Sequence, residues 1–153
     1  MIRDEADAAL AQAEFFEICD DEQRRLLAFA GTRQRFAPNA VIYRAGDTPV
    51  GAHVLISGHI QANPEGDINS PYAISERGSV ISAMALILDK PRPVTFTAVT
   101  ACDTLFVPRS AFLKLVQQSP ELAQRAVARV ERDLGSYLGA LQPLGRRMRG
   151  SPD

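Results

Sequence analysis

One arginine and one short turn carry most of the chemistry available to this chain. They lie in residues 78–98, GSVISAMALILDKPRPVTFTA. Val80 to Ile87 reads as the end of a strand running into a single helical turn. Pro91-Arg92-Pro93 reads as a turn feeding an alternating strand, Val94-Thr95-Phe96-Thr97-Ala98. An arginine beside a turn whose first amides lack partners makes an anion cradle, because a guanidinium and free N–H groups converge on one site. The candidates are Arg92 and the Ser82-Ala83-Met84 turn. The same guanidinium would also serve as one half of an internal ion pair.

Other chemistries find little support. His53 and His59 stand six apart with no third ligand in sight, which argues against a metal site; each reads as a strand residue near the surface. Ser57 and Ser82 have no histidine–acid pair near them in sequence. Neither a phosphate-loop lysine pattern nor a dinucleotide fingerprint occurs. Cys19 and Cys102 are too far apart in sequence for a redox or metal motif and read as buried free thiols. The expectation is a protein without catalysis, metal or cofactor.

The elements that must hold the turn fit one domain. A chain of 153 residues with 46% hydrophobic and 23% charged residues can bury its own core. Its net charge of −1 gives no general pull towards nucleic acid or anionic membrane. Residues 1–22 hold eight acids against Arg3 alone, whereas the tail carries Arg146, Arg147 and Arg149 against Asp153. A solvated acidic helix and a frayed basic tail account for both. No apolar run reaches the roughly 18 residues of a membrane span, and the start is acidic where a signal peptide is basic. The expected address is cytoplasmic.

Residues 4–18 read as a helix, with Ala8, Ala9, Leu10, Ala13, Phe16 and Ile18 available for its apolar side. Asp20 with Gln23 forms a capping box for a second helix, Asp21 to Ala30, directing Leu26, Leu27, Phe29 and Ala30 inward, with Gly31 as its stop. From Arg33 to Val107 short β-rich runs recur between Pro, Gly, Asn and Asp punctuation, near 33–36, 41–43, 53–57, 59–62, 71–75, 79–81, 94–99 and 103–107. Asn63-Pro64-Glu65-Gly66-Asp67 marks a hairpin tip. A short helix follows at 109–117. Ser119-Pro120-Glu121 then opens a long helix whose Leu122, Ala126, Val130, Leu134, Leu138 and Leu141 form one narrow apolar stripe. Gly135 and Gly139 would allow close helix approach.

Taken in order, Ile42-Tyr43, Gly46-Asp47, Leu55-Ile56-Ser57-Gly58 and the 78–98 stretch resemble the β-roll of cyclic-nucleotide-binding domains of the catabolite-activator and protein-kinase-A regulatory-subunit type. The resemblance covers residues 15–142. It implies an α+β fold, an eight-stranded antiparallel β-roll (a double-stranded β-helix or jelly roll) flanked by N-terminal helices and by a short plus a long C-terminal helix. The domain is expected over 4–142, with a flexible tail over 143–153. The family's cassette runs Phe-Gly-Glu-Leu-Ala-Leu and then Pro-Arg-(Ser/Thr/Ala)-Ala. Here those places hold Ile81-Ser82-Ala83-Met84-Ala85-Leu86 and Pro91-Arg92-Pro93-Val94. Arg92 matches the residue that pairs with the cyclic phosphate. Ala83 stands where a glutamate accepts from the ribose hydroxyl, a loss of about 1.5–3 kcal/mol, or roughly 10- to 150-fold. Ser82 replaces a glycine, and Pro93 removes a phosphate-facing N–H.

The resemblance thus implies a non-enzymatic regulatory or sensor module, with cyclic nucleotide binding weakened or lost and signalling through the C-terminal helix. One alternative is a working site for cyclic AMP, cyclic GMP or another small anion on Arg92. Another is a closed pocket whose surface binds a protein. The stripe on the long helix suits a homodimer or an unidentified protein partner. A DNA-binding helix-turn-helix would have to follow that helix, and the ten residues after Pro143 are too few to hold one; no nucleic-acid partner is expected.

Overall fold

The computed structural model describes residues 2–65 and 70–131, with side chains from Glu5 onward. Its elements run α1 (Ile2–Gln12), a 3-10 turn (Glu14–Ile18), α2 (Asp21–Ala30), then strands β1 (Thr32–Phe36), β2 (Val41–Tyr43), β3 (Gly51–Ser57), β4 (Ile60–Pro64), β5 (Tyr72–Ile74) and β6 (Val80–Ile81). A second 3-10 turn (Ala83–Leu86), β7 (Val94–Ala98), β8 (Cys102–Pro108) and α3 (Arg109–Gln118) follow, and a last helix, α4, covers 120–131. The strands form two four-stranded antiparallel sheets, ordered β1-β8-β3-β6 and β2-β7-β4-β5. This is the expected roll, and every anticipated strand is present.

Period-two alternation divides the core. On β3, Val54 and Ile56 face the helices and join Leu10, Phe16, Leu105, Val107, Phe112 and Leu122. Leu55, on the opposite face, joins Ile60, Ile81, Phe96 and Ala98 between the sheets. A strand buried on both faces must read as an unbroken apolar run, and β3 does so from Gly51 to Ile56 apart from His53. The β3–β4 turn demands glycine at residue 58. Gly58 has φ +109°, and a Cβ there would meet the Ala101 carbonyl at 2.6 Å.

Several expectations are corrected. The N-terminal helix breaks at Ala13, whose backbone is extended, and a 3-10 turn takes over. The break lets adjacent Phe15 and Phe16 both be buried around Phe112, with ring centroids 5.9 and 6.5 Å from it. It also seats the 76–80 turn, since a Cβ on Gly78 would fall 2.9 Å from Gln12. The capping box of Asp20 and Gln23 is present, but α2 buries Leu27 and Ala28, leaving Leu26 and Phe29 50% and 66% exposed. Gly31 is extended and not left-handed; its role is close approach, since a Cβ would meet Leu105 and the Phe106 carbonyl at 2.8 Å. His53 lies buried between Phe36 and Phe106, its Nδ1 2.9 Å from Thr104 Oγ1, and burial lowers its pKa to about 4. His59 is exposed in the turn before β4.

Ser119 caps α4, its hydroxyl accepting from the Leu122 amide. Leu122 and Ala126 are buried in the chain's own core and Val130 is half-buried. Leu134, Gly135, Leu138, Gly139, Leu141, the tail over 143–153 and the Gly66-Asp67 part of the expected hairpin tip lie outside the described residues. Among the described residues no helix is long and apolar enough to cross a membrane.

Candidate functional site

The Pro91-Arg92-Pro93 turn is fixed by backbone pairing. The Gly46 amide donates to the Arg92 carbonyl at 2.8 Å, and the Arg92 amide donates to the Asp47 carbonyl at 3.2 Å. The Glu65 amide donates to the Pro93 carbonyl at 2.8 Å, and the Ala45 amide to Thr95 Oγ1 at 2.9 Å. Tyr43 donates its hydroxyl to the Asp47 carbonyl, holding the far side of the loop. Proline at 93 costs no hydrogen bond here, because only its carbonyl is used. Arg92 is thereby set at the entry to β7 with its side chain turned to a cavity.

That cavity has a volume of about 460 Å³ and is open to solvent on one side. Its wall consists of β5 and the turn after it, Ser79 to Ser82, Arg92 and Phe96. Arg92 Nε is buried with no hydrogen-bond partner, and Arg92 forms no ion pair among the described residues. The internal carboxylate that would have made this arginine structural is absent from that set. Ser82 Oγ is also buried without a partner, on a residue only 4% exposed.

Ser82 has φ 63° and ψ 45°, a left-handed conformation that costs a non-glycine residue about 1 kcal/mol or more. The turn needs this geometry to swing from β6 into the 3-10 turn Ala83–Leu86. A glycine would avoid both the strain and the orphaned hydroxyl. Arg92 and Ser82 thus line the same cavity, and each keeps one buried polar atom without a hydrogen-bond partner.

The remaining expected contacts do not gather there. Ala83 lines a second cavity of about 360 Å³, together with Glu14, Phe15, Gly78 and Arg129. Met84 is half-buried, Pro93 exposed and Val94 buried, and none of the three lines either cavity. Glu76, Ser79 and Val80 border both cavities, so the 76–80 turn is the wall between them. Beyond the second cavity, Arg125 Nε donates to the Ile18 carbonyl at 2.7 Å. Arg129 Nη1 donates to the Glu14 carbonyl at 3.0 Å and its guanidinium lies 5.5 Å from the Phe15 ring centroid. Helix α4 is thus clamped to the N-terminal 3-10 turn.

Sequence reasoning missed Glu76, Tyr72 and Ile74 as wall residues, and Arg109 as the support of the cassette. Arg109 Nη1 donates to the carbonyls of Pro49, Ala85 and Leu88 at 3.0, 3.1 and 3.3 Å, and Nη2 lies 3.4 Å from Asp89. Phe96 was recoverable as an inward position of the alternating strand. No metal-holding group of His, Cys, Asp or Glu occurs among the described residues.

Comparison with known proteins follows the same lines. The family model of the cyclic nucleotide-binding domain matches residues 33–119. A cGMP-dependent protein kinase of Eimeria tenella is 26% identical over 145 residues, covering 84% of this chain but 14% of the kinase. A putative cyclic nucleotide binding protein from Ruegeria pomeroyi DSS-3 superposes with a TM-score of 0.72 at 19% identity, over 94% of this chain and 64% of that one. The catabolite activator protein of Thermus thermophilus gives 0.68 at 20% identity, over 86% of this chain and 62% of that one. The chain therefore spans a small part of the kinase and just under two thirds of the two bacterial proteins.

Proposed function

The chain belongs to the cyclic nucleotide-binding domain family, and from that premise we propose that it is a non-catalytic regulatory module whose Arg92 cavity binds a small anion. The observation that carries this reading is that Arg92, with no ion pair among the described residues, lines one open cavity together with Ser82, each keeping a buried polar atom without a hydrogen-bond partner. The family and its regulatory relatives make a cyclic nucleotide the first ligand to consider. Binding of that ligand is weakened here. Ala83 offers no acceptor for a sugar hydroxyl and lines the other cavity, and Pro93 has no N–H to give a phosphate.

The signal passes to the C-terminal helix. Ala83 shares its cavity with Glu14, Phe15 and Arg129, the residues that seat α4. An anion that reorders the 82–86 turn alters that seat. Because Leu122 and Ala126 are spent on the chain's own core, a homodimer seam would fall on the later part of the stripe, Leu134, Leu138 and Leu141. Two buried, unpaired cysteines favour a reducing, cytoplasmic setting.

Calorimetric titration with cyclic AMP and cyclic GMP up to millimolar tests this. The expected result is binding weaker than micromolar that Arg92→Ala weakens further. Submicromolar binding contradicts the weakening, and binding indifferent to Arg92→Ala contradicts the anion site.

A further inference from the structure

We propose that Glu76, on the turn after β5, supplies the hydroxyl acceptor that residue 83 does not, so that the Arg92 cavity takes a monoanion bearing a hydroxyl donor. This rests on the anion reading above and names a second group of the same site. Across one cavity of about 460 Å³ the described wall holds one cation, Arg92, and one carboxylate, Glu76. They make no ion pair with each other or with any other described residue. Of the guanidinium nitrogens only Nε is buried without a partner; the two Nη groups make no hydrogen bond among the described residues and keep access to solvent. A guanidinium only donates and a carboxylate only accepts, so the pair suits a ligand with an acceptor at one end and a donor at the other. A cyclic phosphodiester brings a single negative charge, which Arg92 matches, and its ribose hydroxyl is a donor that Glu76 can take.

The acceptor has to come from this wall, because Ala83 lines the other cavity and its side chain has no polar atom. The backbone sets Glu76 for the role. Its carbonyl accepts from the Ser79 amide at 3.1 Å and from the Ser79 hydroxyl at 2.7 Å, and the Gly78 amide donates to the Leu55 carbonyl at 2.9 Å. The turn is thereby fixed while the carboxylate stays uncommitted. Tyr72, Ser75 and Ser79 also border the cavity, but a neutral hydroxyl is a weaker acceptor than an ionised carboxylate. Glu76 is exposed, so water competes for it and only part of the missing affinity returns.

The test titrates the whole chain with cyclic AMP and 2′-deoxy cyclic AMP to millimolar concentrations, comparing wild type with Glu76→Gln, Glu76→Ala, Ser75→Ala and Arg92→Ala. Glu76 and Ser75 are exposed, so their variants leave the core intact. The expected result is that wild type binds cyclic AMP about 3- to 10-fold tighter than the deoxy compound. That preference disappears in both Glu76 variants and persists in Ser75→Ala, while Arg92→Ala weakens both nucleotides. The ratio is the readout because losing the Glu76 charge acts on the two nucleotides alike. No preference in wild type, or one that survives in the Glu76 variants, overturns the role of Glu76 and leaves the anion site standing. A preference removed by Ser75→Ala alone gives the hydroxyl to Ser75 and overturns it too. No binding of either nucleotide, or binding indifferent to Arg92→Ala, overturns the anion site and the inference together.

Discussion

Two arginines bracket the cassette turn, and they are used in opposite ways. Arg109, at the start of α3, gives its guanidinium to the carbonyls of Pro49, Ala85 and Leu88 and lies beside Asp89. Arg92, at the start of β7, keeps a buried Nε without any partner. Both are held by tight backbone geometry, with the Arg109 amide donating to the Val50 carbonyl at 2.8 Å. The difference is one of purpose. A satisfied guanidinium stabilises the fold, whereas an unsatisfied one costs stability that a ligand can return.

The largest expected effect separates the two directly. Arg109→Ala strands carbonyls at the end of the 3-10 turn and lowers stability by about 3 kcal/mol, read as a lower urea midpoint. Arg92→Ala leaves stability unchanged or raises it. Equal losses in the two variants break the contrast.

A comparable effect is expected at His53, another buried polar group that is satisfied. Its pKa is lowered from 6.5 to about 4 by burial, so the folded chain keeps the ring neutral while the unfolded chain protonates it below pH 6.5. Stability is full above pH 6.5 and declines as pH falls towards 4, by on the order of 3 kcal/mol from this residue. Urea unfolding between pH 7 and pH 4.5 should show a shallower decline in His53→Leu than in wild type; identical declines contradict the assignment.

The smallest effect concerns Ser82. Ser82→Gly removes the left-handed strain and the orphaned hydroxyl, so the free protein should gain about 1 kcal/mol, measured by thermal and urea unfolding. A loss of stability would mean that the hydroxyl already has a partner.

Much of the fold was legible because its signals are local. The Asp20–Gln23 capping box, the β-runs and the Ser119 cap each declare themselves within four residues. The break at Ala13 was not, because it depends on Gly78 packing against Gln12. Nor was the turned face of α2, where tertiary packing chose Leu27 and Ala28 over Leu26 and Phe29. At the site, Arg92 and Ser82 were visible as a turn beside a strand. The separation of Ala83 into another cavity was not, since adjacent residues across a left-handed bend point to different sides. Arg109 gave no sign, because its carbonyl partners lie 21, 24 and 60 residues away.

The central claim is that Arg92 is held for a ligand, and its own Nε–H reports on it. Nitrogen-detected side-chain resonances of Arg92 and Arg109, assigned by their loss in the two alanine variants, would be followed while cyclic AMP, inorganic phosphate or 2-naphthoate is added. The account predicts that the Arg92 Nε–H moves saturably with at least one of these anions while Arg109 stays in place. An Arg92 signal unmoved by all three up to millimolar, or one that moves only in step with Arg109, contradicts it.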